Sequence, residues 1–77
     1  MDYEYENKTE PPNLATCDEE GILVSGIHYD VENSDMTDKS IEYCTWWERD
    51  AKLLVVFTNE LSAGDKTLLD QIVEANT

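Results

Sequence analysis

Two cysteines, one histidine, two tryptophans and eighteen acids are the side chains of this 77-residue chain with the most chemical potential. Cys17, Cys44 and His28 would supply only three ligands of a zinc site, and the cysteines lack the short spacing such sites use. A single histidine inside an apolar run is more often a packed residue than a general base. No GxSxG elbow, HExxH helix or phosphate-cradling glycine loop occurs. Asp30 to Asp35 resembles the opening of a calcium loop, but the register fails. Counting from Asp30, Asp35 stands where glycine is needed and Ile41 where a bidentate Glu is needed. Paired carboxylates do catalysis only in a pocket that separates their pKa values, and a chain this short has little room for one. The expectation is a protein with no catalytic residue, no metal and no cofactor.

Trp46-Trp47 is the strongest binding signal. Neighbours on a strand point to opposite faces, so one indole joins the core while the other is free to anchor a partner. Trp47 shares parity with Ile41 and Tyr43 and is assigned to the core; Trp46 is assigned to the partner surface. Tyr3 and Tyr5 are further candidates for partner binding, because they share one side of an extended segment with Asp2, Glu4 and Glu6 on the other.

Charge narrows the partner. Eighteen acids against five bases give a net charge of -13, which excludes an ordinary nucleic-acid binder, since phosphate affinity comes largely from Lys and Arg. It also disfavours anionic membranes. Met1 to Glu6 lacks the basic and apolar regions of a signal peptide. The longest apolar run, Leu53 to Phe57, is far short of the roughly 20 residues a membrane helix needs. Nothing suggests secretion, so both cysteines are expected as free thiols and the Asn7-Lys8-Thr9 sequon has no glycosylation meaning.

The elements that position these residues follow from pattern. Residues 1–20 are acidic and interrupted by Pro11-Pro12, which predicts an extended arm. Gly21 to Tyr29 is β-branched and aromatic, which predicts a strand, with Gly26 marking a bulge or a close backbone approach. Asn33 to Ser40 has loop composition. Ile41 to Trp47 alternates, and after a polar turn Leu53 to Phe57 is apolar on both faces, predicting a hairpin whose second strand is central. Ser62 can cap a helix, with Asp65 at capping-box spacing. Leu68, Leu69, Ile72 and Val73 form its apolar stripe, and Asn76 can close it.

The predicted fold is α+β: a three-stranded antiparallel sheet with one C-terminal helix packed on it over residues 21–77, preceded by the acidic arm 1–20. One helix covers one sheet face and leaves the other without a lid. A core this small comes out near zero in stability, so either a homo-oligomer or attachment to a larger host would offset the deficit.

The segment Val55-Val56-Phe57-Thr58-Asn59-Glu60-Leu61-Ser62-Ala63-Gly64-Asp65-Lys66-Thr67-Leu68-Leu69-Asp70-Gln71-Ile72-Val73 resembles the strand–helix ending of small virion-associated proteins of tailed bacteriophages. The resemblance covers about 20 of the 77 residues. It implies a non-enzymatic virion component, such as a capsid decoration protein or a tail or fibre accessory, assembled in the host cytoplasm, and it transfers no binding residue. A negative subunit of this kind would seek a larger assembly with a basic surface. The competing expectation is an acidic DNA mimic that inhibits a nucleic-acid-binding enzyme. Mimicry needs acids spaced on a rigid face, whereas 14 of the 18 lie before residue 51.

Overall fold

The computed structural model describes all 77 residues, Met1–Thr77, and its elements run β1 (Asp2–Tyr5), β2 (Thr16–Cys17), β3 (Leu23–Ser25), α1 (Ile27–Glu32), β4 (Ile41–Trp47), β5 (Lys52–Phe57) and α2 (Ala63–Ala75). The principal sheet has three antiparallel strands in the order β1-β5-β4. β5 is central, paired with β1 along one edge and β4 along the other, and it is apolar on both faces. The expected α+β fold, with a three-stranded antiparallel sheet and a C-terminal helix, is present.

The third strand is not the expected one. It comes from the acidic N-terminus, where an extended arm was expected: Asp2 to Tyr5 pair with Val56 to Leu53. The alternation of tyrosine and acid suits a sheet edge, with the aromatic side turned to the core. Tyr3 lies edge-on to Phe57, ring centroids 5.9 Å apart, and its hydroxyl accepts the Leu61 N–H at 2.7 Å.

The stretch expected as a long strand from Gly21 to Tyr29 divides instead. Leu23–Ser25 pairs with Thr16–Cys17 in a separate two-stranded sheet, and Ile27–Glu32 turns into a short helix. Ile27 and Val31 lie four residues apart, a spacing that serves one face of a helix as well as one face of a strand. Both are fully buried. Gly26, at φ 108°, makes the junction: a Cβ there would come within 2.8 Å of the Ala15 backbone. The close backbone approach permits the Ile27 and His28 N–H groups to donate to the Asn13 and Leu14 carbonyls, satisfying donors that a helix start leaves open.

α2 forms as its pattern dictates. Ser62 is the N-cap, and its hydroxyl accepts the Asp65 N–H at 3.2 Å. The Asp65 carboxylate does not return to Ser62 as a capping box would have it. It lies buried and accepts the backbone N–H groups of Thr37 and Asp38, each at 2.9 Å, tying the 33–40 loop to the start of α2. The core gathers Ile27 and Val31 from α1, Leu69 and Val73 from α2, Leu53, Val55 and Phe57 from β5, and Met36 and Leu61 from loops. No helix is long and apolar enough to cross a membrane.

Candidate protein-docking face

Residues paired across antiparallel strands present their side chains on the same face, so the register of the sheet assigns every side chain. Leu53, Val55 and Phe57 of β5 face the core, with Tyr5 and Tyr3 of β1 opposite the first two. On the other edge, β4 carries an irregularity between Ile41 and Tyr43: Ile41 pairs with Phe57, yet Tyr43 pairs with Val56. The extra residue inverts the alternation. Beyond it, Cys44 and Trp46 fall on the core face, opposite Val55 and Leu53, while Tyr43, Thr45 and Trp47 fall on the other.

The two tryptophans therefore exchange the places that simple parity assigns. Trp46 packs against the core and its indole N–H donates to the Lys8 carbonyl at 2.8 Å. Trp47 is 43% exposed and Tyr43 52%. Tyr3 and Tyr5 turn inward to α2, where the Tyr5 hydroxyl donates to Asp70 at 2.7 Å. The structure does not bring Tyr3, Tyr5 and Trp46 together on one outer surface.

The face away from the core has an order of its own. β4 contributes an aromatic column, Tyr43, Thr45 and Trp47. β5 contributes Val56, Leu54 and Lys52 directly opposite them, and β1 contributes Asp2 and Glu4 opposite Val56 and Leu54. Aromatic, aliphatic and acidic columns thus lie side by side. Leu54 and Val56 stand outside the core cluster, and each is 8% exposed because neighbouring strands flank them. The one cation in these columns, Lys52, lies 3.6 Å from Glu4. This face was missed as a set because the irregularity in β4 leaves no mark in the alternation of Ile41 to Trp47, and Asp2 and Glu4 read as part of a tail.

The histidine and the two cysteines lie apart from this face. His28 contacts Glu32 at an exposed site, Nε2 to Oε1 2.9 Å. Cys17 is exposed and unpaired; Cys44 is half-buried, donates weakly to the Leu14 carbonyl at 3.7 Å, and burial pushes its thiol pKa up. No three His, Cys, Asp or Glu side chains are grouped to hold a metal ion. Against known proteins the chain finds no match: no family model, no curated protein and no solved structure aligns with it significantly.

Proposed function

We propose that the protein is a non-enzymatic binding subunit that attaches to a larger protein assembly through the Tyr43–Thr45–Trp47 face of its sheet. The observation that carries this reading is the exposure of Tyr43 and Trp47 beside an aliphatic column on a face with no helix over it. Exposed aromatic anchors are what protein interfaces concentrate at their centres, and the buried Leu54 and Val56 between the strands give them a firm base. The occupant is a protein surface with an apolar centre and a cationic edge. Asp2 and Glu4 border the apolar columns, and a net charge of -13 opposes pairing with a second copy.

The setting we propose is a virion, as an accessory or decoration subunit held in many copies. It rests on the resemblance of Val55 to Val73 to the ending of small phage virion proteins. Attachment to a large scaffold also suits a chain whose stability would rise on binding. Acids distributed over β1, the 18–20 turn, α1 and the 33–40 loop suit a solvated surface better than a phosphate-like row.

The test is co-sedimentation with assembled particles from cells expressing the chain. Wild type should travel with the particles. A Tyr43→Ser/Trp47→Ser double variant should be lost from them while its thermal midpoint stays where it was. A wild-type chain absent from particles overturns the virion setting, and a double variant that stays attached overturns the face.

A further inference from the structure

On the core side of the sheet, α1 and α2 leave a groove of about 350 Å³ between them, within the size range of ligand-binding clefts. Leu68, Ile72 and Ala75 of α2 line it together with Asp30 of α1 and with Asn33 and Asp35, which follow α1. Neither acid meets a cation: the ion pairs of the molecule are His28–Glu32, Lys52–Glu4 and Lys66–Asp70. Asp30 accepts a hydrogen bond from the Asn76 amide at 2.8 Å, and the exposed Asp35 carboxylate accepts none. The carbonyl ends of both helices already have donors: the Lys39 ammonium donates to the Glu32 carbonyl at the end of α1, and the Asn76 amide and Thr77 hydroxyl donate to the Ile72 and Val73 carbonyls at the end of α2. An apolar wall beside two carboxylates that meet no cation fits one ligand chemistry, an alkyl chain tipped with positive charge.

We propose that this groove receives a lysine or arginine side chain, flanked by apolar residues, from a peptide segment of a protein partner. The aliphatic stem lies along Leu68 and Ile72 while the charged head reaches Asp30 and Asp35, the way long basic side chains divide between apolar and polar surroundings. A second copy of the chain is a poor source of this group. Four of its five basic side chains, Lys8, Lys39, Lys52 and Lys66, are already engaged by Thr77, the Glu32 carbonyl, Glu4 and Asp70, which leaves only Arg49 in the turn between β4 and β5, and a net charge of -13 separates the copies. The site stands apart from the sheet face and does not depend on it.

The test is a titration of the isotope-labelled full chain with the capped tripeptide Leu-Lys-Leu, followed by amide NMR shifts. Shifts should concentrate at residues 30–35 and 68–75, and Asp35→Asn should weaken binding by about fivefold, the upper end for a partly exposed ion pair. Asp35 makes no side-chain hydrogen bond, so this variant keeps its fold. Substituting norleucine for the lysine, or glycines for the leucines, should each weaken binding further than that. Equal binding of the norleucine peptide, an unchanged Asp35→Asn affinity, or shifts as large at Asp18–Glu20 as in the groove would overturn the proposal. Signals of Tyr43 and Trp47 report the sheet face separately, so failure of one site does not read as failure of the other.

Discussion

The indole N–H of Trp46 donates to the carbonyl of Lys8 across 2.8 Å, and Lys8 in turn donates its own N–H to the Ala51 carbonyl at 2.8 Å. A side chain of β4 thus fastens the backbone just beyond β1 to the turn that ends β4, closing the sheet around β5. That contact makes Trp46 a structural residue and leaves Trp47 free. Trp46→Ala should cost about 3 kcal/mol, the lower end for truncating a packed large aromatic. Trp46→Phe, which retains a ring and loses the hydrogen bond, should cost about 1 kcal/mol. Trp47→Ala should stay within about 0.5 kcal/mol of wild type, as exposed substitutions do. Urea midpoints at constant slope distinguish the three; a Trp47→Ala loss as large as that of Trp46→Ala would place both indoles in the fold.

Elements built from neighbours were legible in the sequence. α2 announces itself through the Ser62 cap and the Leu68–Val73 stripe, and the β4–β5 hairpin through two apolar runs joined by a polar turn. What was illegible depends on distant or inserted residues. β1 pairs residue 2 with residue 56, and no local pattern reports a partner more than fifty positions away. α1 was hidden because an apolar pair at i and i+4 fits strand and helix alike. The open sheet face was legible as an unlidded surface, but its tryptophan was not. One irregular position between Ile41 and Tyr43 exchanges the two indoles while leaving the alternation of the letters unchanged.

Asp65 carries a prediction of its own. Each of its carboxylate oxygens accepts one backbone N–H from the 33–40 loop, from Thr37 and from Asp38. Asparagine offers one acceptor oxygen where two are needed, and its amide nitrogen would face a donor. Asp65→Asn should therefore cost about 1–3 kcal/mol, the penalty for stranding a buried donor, and should raise amide exchange at Thr37 and Asp38 first. Unchanged exchange there would show that the loop is held by other contacts.

Ala51 sits at φ 48°, in the left-handed region, where it closes the turn between β4 and β5. An L-residue with a Cβ is strained there by about 1–2 kcal/mol, and glycine relieves that strain at the cost of a more flexible unfolded chain. The net expectation for Ala51→Gly is a gain of about 0.5–1 kcal/mol. The urea midpoint should rise with no change in slope; a fall would mean that the turn gains more from a stiffer unfolded chain than it loses to strain.

The Tyr5 hydroxyl donates to the Asp70 carboxylate, which also accepts from the Lys66 ammonium. Burial first, then the hydrogen bond and the negative charge of Asp70, push the Tyr5 phenol well above its ordinary value of 10. For Asp70, burial works against the charged form, yet hydrogen bonds from Lys66 and Tyr5 outweigh it and hold the carboxyl below its usual range. The two shifts act at opposite ends of the pH scale. A phenol whose pKa is raised on folding keeps its full contribution below about pH 10 and loses it progressively as pH climbs above that value, because only the unfolded chain then releases the proton readily. A carboxyl whose pKa is lowered contributes above its unfolded value and loses that contribution as pH falls through the folded one. Because Asp70 is largely exposed, its acid-side effect is screened and small. The alkaline limb is the one to measure. Tyr5→Phe should be less stable than wild type at pH 7, having lost a hydrogen bond to a charged group, and the difference in thermal midpoint should shrink steadily between pH 9.5 and 11. A difference that stays constant across that window would show that the Tyr5 proton is not what links β1 to α2.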